Sequence, residues 1–152
     1  MPHRSPAGEA PAFVTRKGCT VDKFTWSDKL STGNQMIDHD HQKLFELLDQ
    51  LHDLMVQNKE KTALSEKLGE LIAFTAEHFS HEEALMQKMH YADYTLHKSE
   101  HQKLLTEVRG LQQRYEAGSV ALSGAAYAYL TDWLNTHILT HDLKLGVSAR
   151  SR

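Results

Sequence analysis

Apolar residues recur at spacings of three and four along most of the chain, which is the pattern of amphipathic α-helices. Four such segments cover approximately residues 35–57, 62–89, 95–116 and 123–141. The breaks between them are short, at about residues 58–60, 91–93 and 117–119. Because short connections make consecutive helices antiparallel neighbours, the pattern predicts an all-α protein, an antiparallel up-down-up-down four-helix bundle.

The prolines set the boundary of the predicted domain. Pro2, Pro6 and Pro11 all lie in the first eleven residues, and no proline follows them. A proline-free stretch favours long helices, because proline lacks the backbone N–H and clashes with the preceding turn. We therefore expect residues 1–22 to form a flexible N-terminal tail and residues 23–147 to form the bundle.

Composition narrows the classes of partner and compartment. The formal net charge of -3 over 152 residues gives no broad basic surface, so we expect no nucleic-acid partner. No apolar run approaches the ~20 residues of a membrane helix, and no secretory signal is recognisable. The single cysteine, Cys19, excludes an internal disulfide framework. These features predict a cytoplasmic protein without membrane insertion.

Ligand-type residues lie where the helices should present apolar side chains. They are His41 in the first helix, His78 and Glu82 in the second, His97 and His101 in the third, and His137 and His141 in the fourth. Residues four apart share one helix face, so each pair can hold the same ion. In an antiparallel bundle all four sets lie at one end of the core. Because burying unpaired imidazoles costs several kcal/mol, the pattern predicts a metal site.

The ligand types leave several metals open. A structural zinc finger is excluded because there is no cysteine cluster. The Glu-x-x-His motif of ferritin-like sites is absent, since no glutamate precedes a histidine by three residues. A histidine-rich set with few carboxylates suits iron, copper or zinc. There are too many candidates for one tetrahedral ion, which favours two metals.

The chain resembles the hemerythrin family, and single-domain bacterial hemerythrins in particular, over about residues 23–146. Five motifs in order carry the resemblance: Phe24-Thr25-Trp26, IDHDHQKLF at 37–45, HFSHEEALM at 78–86, HKSEH at 97–101 and WLNTHILTHD at 133–142. The resemblance implies a non-haem centre of two iron ions (Fe2+/Fe3+) with a bridging oxo or hydroxo group, and O2 as its ligand.

The family's iron ligands can be transferred position by position. The implied ligands are His41, His78, Glu82, His97, His101, His137 and Asp142. Glu82 and Asp142 would bridge the irons. Three histidines, His97, His101 and His137, would complete one iron, and His41 with His78 the other.

Helix geometry and the resemblance disagree in the fourth helix. His137 and His141 are four residues apart, whereas Asp142 lies about a further 100° around a regular helix. We follow the resemblance, take Asp142 as the ligand and treat His141 as a flanking group. Glu83 also lies about 100° from its helix's inward face, so we predict it at the surface. Of the remaining histidines, His39, His81 and His90 are predicted to be solvated, and His52 partly buried.

Reversible binding of molecular oxygen, for storage or for delivery to an oxygen-consuming enzyme, is the function that the resemblance implies. We expect a monomer that is not itself an enzyme. The alternatives are an oxygen or redox sensor, or a di-iron enzyme handling nitric oxide or peroxide. Leu134, one turn before His137, and the adjacent Trp133 are candidates for the oxygen pocket, with ordinary core packing as the alternative.

Overall fold

The computed structural model describes residues 15–16, 20–21 and 26–151 of the chain. Its helices are α1 (Gln35–Val56), α2 (Lys61–Lys88), α3 (Tyr94–Glu116), α4 (Gly124–His137) and α5 (Leu143–Arg150). A π-helical segment, Ile138–Asp142, joins α4 to α5 without a break, and a 3-10 turn, Asp28–Leu30, precedes α1. α1 packs against α2 and α4, and α2 packs against α3. The predicted four-helix bundle is confirmed.

Two features differ from the predicted pattern. The last helix continues to Arg150 instead of ending near residue 141, because the π-helical segment carries it onward. Two short strands, β1 (Thr15–Arg16) and β2 (Thr20–Val21), pair antiparallel in the region predicted as a tail. Residues 1–14, 17–19 and 22–25 lie outside the described residues, so the tail stays a prediction.

Three of the helices end in the same way. Asn58, His90 and Gly118 have positive φ values of 56°, 51° and 84°, just past the ends of α1, α2 and α3. A left-handed residue at this position turns the chain back, so that the following N–H bonds the last helical turn. The N–H of Tyr91 donates to the carbonyl of Met86 at 2.9 Å, and that of Ser119 donates to Arg114 at 2.9 Å. These stops allow the short antiparallel connections.

α5 closes the end of the bundle at which α1 begins. Arg150 donates from Nη1 to the carbonyl of Thr32, in the loop before α1. Gly146 packs so closely against Thr32 that a Cβ there would overlap the carbonyl oxygen. Asp38 holds the same loop by accepting from the Thr32 N–H at 2.8 Å and the Ser31 hydroxyl at 2.7 Å.

The buried apolar residues form two clusters of unequal size. The larger, here called the main core, runs through the bundle and includes Leu44, Phe45, Leu51, Leu68 and Ile138. The smaller, here called the end cluster, contains Ile37, Met86, Met89, Tyr91 and Leu145. Along α1, α2 and the last helix, buried polar residues lie between the two clusters in sequence. No helix in the described part of the chain is long and apolar enough to cross a membrane.

Candidate metal centre

The structure brings all seven ligand candidates of the sequence analysis into one buried layer between the main core and the end cluster. Each is at most 3% exposed: His41, His78, Glu82, His97, His101, His137 and Asp142. Their nitrogen and oxygen atoms form two groups, in each of which the potential ligand atoms lie within 4.8 Å of one another. Both groups contain Glu82 and Asp142, so these two carboxylates are shared.

Glu82 divides its two oxygens between the groups. Oε1 lies 3.2 Å from His97 Nε2 and 3.1 Å from His101 Nε2. Oε2 lies 3.1 Å from His78 Nε2 and 3.5 Å from His41 Nε2. A carboxylate placed in this way can give one oxygen to each of two neighbouring ions.

Asp142 divides its oxygens along the same line. Oδ1 lies 3.0 Å from His97 Nε2 and 3.1 Å from His137 Nε2, whereas Oδ2 lies 2.8 Å from His41 Nε2. The site therefore has a three-histidine position, made by His97, His101 and His137, and a two-histidine position, made by His41 and His78.

The polar atoms of this layer fit a metal centre because many of them have no hydrogen-bond partner among the described residues. Although the approaches above are short, nine buried atoms lack hydrogen-bond geometry to any described residue, among them both oxygens of Glu82 and both of Asp142. The Nε2 atoms of His97 and His137 face each other at 3.2 Å. Leaving such groups unpaired costs about 1–3 kcal/mol each. Convergent lone pairs of imidazole nitrogens and carboxylate oxygens are what a transition metal binds.

The π-helical segment explains how Asp142 reaches the layer. A regular helix would bring His141 close to the face of His137 and carry Asp142 about 100° beyond it. One wider turn absorbs the extra residue, so Asp142 is fully buried while His141 stays partly exposed. The His141 ring lies 5.0 Å from that of His137 and 5.4 Å from that of His97, which is the flanking position expected of it.

The electrostatics of the layer favour protons on imidazoles beside ionised carboxylates. Burial opposes charge on His78, but the nearby Glu82 and Asp40 carboxylates outweigh it and raise the pKa of His78 to about 10. Burial likewise opposes charge on His97, but Asp142 and Glu82 raise its pKa to about 9. The imidazoles in turn hold the pKa of Glu82 well below its usual value despite burial. Because metal ligands are neutral imidazoles, a metal ion must displace these protons to bind.

Asp40 is a site residue that the sequence analysis missed. It is only 4% exposed, and its Oδ2 accepts hydrogen bonds from His78 Nδ1 at 2.9 Å and from His81 Nδ1 at 2.7 Å. His81, predicted to be solvated, is instead partly buried, because α1 and α2 enclose it against Asp40. The sequence signal for Asp40 was that it is an acidic residue next to His41 and lies away from the apolar stripe of α1.

Glu83 corrects a second prediction. We expected it at the surface, but its side chain is 22% exposed and its Oε2 accepts a hydrogen bond from His101 Nδ1 at 2.9 Å. Glu83 does lie away from the inward face of α2, but α3 packs on that side of the helix and partly covers it. His39 and His90 are exposed as predicted, and His52 is partly buried, with its ring 4.4 Å from that of Tyr127.

An apolar cavity of about 30 Å³ adjoins the layer within the main core. Leu134, Leu44 and Thr75 line it, each within one turn of a histidine of the centre. Trp133 also lines it and stacks on the His137 ring at 4.5 Å and 11°. Phe79 stacks on the His101 ring in the same manner, at 3.7 Å and 4°. The two aromatic side chains fix imidazoles of the three-histidine position.

Curated relatives share most of the chain. It is 35% identical over 119 residues to a bacteriohemerythrin of Pseudomonas aeruginosa (strain LESB58), a match that covers 78% of this chain and 76% of the relative. It is 32% identical to a bacteriohemerythrin of Methylococcus capsulatus, over 81% of this chain and 94% of the relative. The myohemerythrin of Sipunculus nudus is 33% identical, over 81% and 91%.

Solved structures and a family description agree with these relatives. A crystal structure of wild-type hemerythrin superposes with a TM-score of 0.77 at 31% identity, covering 81% of this chain and 95% of the other. The description of the Hemerythrin HHE cation binding domain matches residues 32–146, which include all seven residues of the buried layer. The chain therefore belongs to the hemerythrin family.

Proposed function

We propose that this protein binds molecular oxygen reversibly at a non-haem di-iron centre, for oxygen storage or delivery. It is a di-iron oxygen-binding protein of the hemerythrin family. The observation that carries the proposal is the division of the Glu82 and Asp142 oxygens between two groups of buried imidazoles. A purely structural bundle would gain nothing from nine buried polar atoms that have no hydrogen-bond partner within the described ranges.

Two iron ions would share the two carboxylates. His97, His101 and His137 would complete one, and His41 with His78 the other, together with a bridging oxo or hydroxo group. The two-histidine position has one imidazole fewer, which leaves room there for one external ligand. The irons would supply the electrons that bound oxygen accepts. Glu82 and Asp142 would offset part of the metal charge, which five neutral imidazoles cannot do.

The surroundings of the centre suit reversible binding. Leu134 and Leu44 give the cavity apolar walls that keep bulk water and its protons away. We assign Leu134 to the oxygen pocket, because it reaches the cavity one turn before His137. Trp133 lines the same cavity, but its stacking on His137 favours a role in holding that ring.

The proposal describes a binding protein and not an enzyme. A monomer in the cytoplasm that passes oxygen to an oxygen-consuming enzyme is the simplest arrangement consistent with storage or delivery. Light scattering of the purified protein tests the monomer, with a mass of 17.3 kDa expected.

The decisive experiment is an optical titration of the anaerobically reduced, iron-loaded protein with air. We expect two irons per chain and a visible absorption band that appears with oxygen and disappears when oxygen is removed. Immediate and permanent oxidation would favour a sensor or a di-iron enzyme instead. A single zinc per chain, or no metal uptake from an anaerobic iron solution, would overturn the di-iron proposal.

A further inference from the structure

We propose that Asp40 is a positioning residue for the two-histidine position, acting through His78, and that Glu83 does the same for the three-histidine position through His101. The inference rests on the proposed function in taking both positions to hold iron. It concerns how firmly each ion is held and at what potential, and it does not depend on oxygen binding.

Asp40 contacts the centre through a hydrogen bond to His78. It projects from α1 toward α2, is 4% exposed, and accepts from both His78 and His81 on the same oxygen, Oδ2. An ionised carboxylate can only accept hydrogen bonds, so both imidazoles must carry hydrogen on Nδ1. In the neutral, metal-binding form of His78 the lone pair therefore lies on Nε2, which faces Glu82 and has no hydrogen-bond partner among the described residues.

Glu83 repeats this arrangement on the other side of the layer. Its Oε2 accepts from His101 Nδ1 at 2.9 Å, which places the lone pair of the neutral His101 imidazole on Nε2, an atom that also has no hydrogen-bond partner among the residues described. By contrast, Nδ1 of His41 and Nδ1 of His97 have no partner among the described residues. Each metal position thus has a histidine supported by a carboxylate and a histidine that is not.

The two supports differ in how strongly they are fixed. His81 donates a second hydrogen bond to the Asp40 oxygen that accepts from His78, so two imidazoles hold this carboxylate in place. Glu83 is more exposed and bonds His101 alone among the described contacts. A carboxylate behind an imidazole fixes the ring orientation and makes the other nitrogen a stronger donor. Removing its charge should weaken the hold on iron and make the ferrous state easier to reach.

The test uses the full chain, loaded with iron and kept reduced without oxygen. Asp40→Asn and Glu83→Gln retain the size of each side chain and an acceptor oxygen but remove the charge. Glu46→Gln removes one charge from an exposed position on α1 and is the matched control. A ferrous chelator is added, and iron release is followed by absorbance.

We expect biphasic release from each of the two variants, with about one of two irons leaving roughly 10–100-fold faster than from the parent protein. The double variant should release both irons fast, and Glu46→Gln should match the parent. The midpoint potential should rise in both single variants, a change that a merely structural role would not produce. Release rates and potentials equal to those of the parent would overturn the proposal.

If a variant fails to fold, a second measurement on the unmodified chain still tests the proposal. Nitrogen-15 spectra of the zinc-loaded protein should show two of the five metal-bound imidazoles with Nδ1–H in strong hydrogen bonds. Five equivalent Nδ1–H groups would overturn the proposal even if Asp40→Asn does not fold. Reversible oxygen binding can fail while the release and zinc results stand, so the two proposals are separately testable.

Discussion

The main core and the buried layer of seven ligand candidates occupy the same helix stripes and are equally buried, but they have opposite effects on the stability of the folded state. Leu44, Leu51 and Leu68 leave water on folding and stabilise the bundle by roughly 1.5–3 kcal/mol each. His41, Glu82 and Asp142 are as deeply buried, but their side-chain polar atoms lack hydrogen-bond partners in the part of the chain that the structure describes. The main core therefore stabilises the fold. The buried layer can be accommodated in the same bundle because metal ions can bind its unpaired polar atoms.

The largest effect should follow from removing a shared carboxylate. Asp142→Asn takes away one of two charges that would offset the metal ions and leaves a buried site with greater net charge. We expect iron affinity to fall by about 100-fold, which corresponds to ~3 kcal/mol. Metal analysis after desalting measures it.

The control for that change is the adjacent histidine. His141→Ala should leave two irons per chain, because His141 only flanks His137 and His97. Loss of iron from His141→Ala, with iron retained in Asp142→Asn, would mean that the regular four-residue helical step was the better guide to the fourth helix.

A cavity in the main core should give the converse result. Leu51 is 1% exposed and lies ten residues beyond His41 along α1, so Leu51→Ala should cost about 2–5 kcal/mol of unfolding free energy. Iron content should stay at two per chain below the unfolding transition. Val56→Ala, at a side chain 57% exposed, is the control and should change stability by no more than ~0.5 kcal/mol. Urea unfolding and metal analysis of the same samples measure stability and iron content separately. Loss of iron from folded Leu51→Ala would contradict the prediction that the two regions act independently.

Removing iron should make stability depend on pH in a defined direction. The pKa values of His78 and His97 are raised to about 10 and about 9 from the ordinary histidine value of 6.5. The stabilisation that protons provide is thus complete below about pH 6.5 and is lost as pH rises through 9 to 10. The urea midpoint of the iron-free protein should fall between pH 7 and pH 10 more than that of the iron-loaded protein, whose imidazoles are already neutral. Equal falls in both forms would show that protons do not replace iron in the layer.

The smallest effect should come from the N-terminal tail. Deleting residues 2–20 removes all three prolines and none of the residues of the layer. We expect the iron content and the melting temperature to equal those of the parent protein. Loss of iron would show that the first residues belong to the domain.

The bundle and its burial pattern were predictable because the period of the apolar stripe is a local property of the sequence. The same stripe placed His41, His78, Glu82, His97, His101 and His137 facing inward. Asp142 was not predictable from spacing, since a helical wheel assumes a constant turn and would have selected His141. Glu83 and Asp40 lie off the stripes, and their partners are on neighbouring helices. Only the positions of those helices reveal that off-stripe carboxylates face His101 and His78.

The π-helical segment affects how residues are spaced along the last helix. Ile138–Asp142 accommodates one more residue than an α-helical turn would. The extra residue widens this one turn, and α5 follows it directly. We expect that deleting one residue among 138–141 would turn this segment into a regular α-helix, in which the carboxylate still shares the face of His137, four residues on.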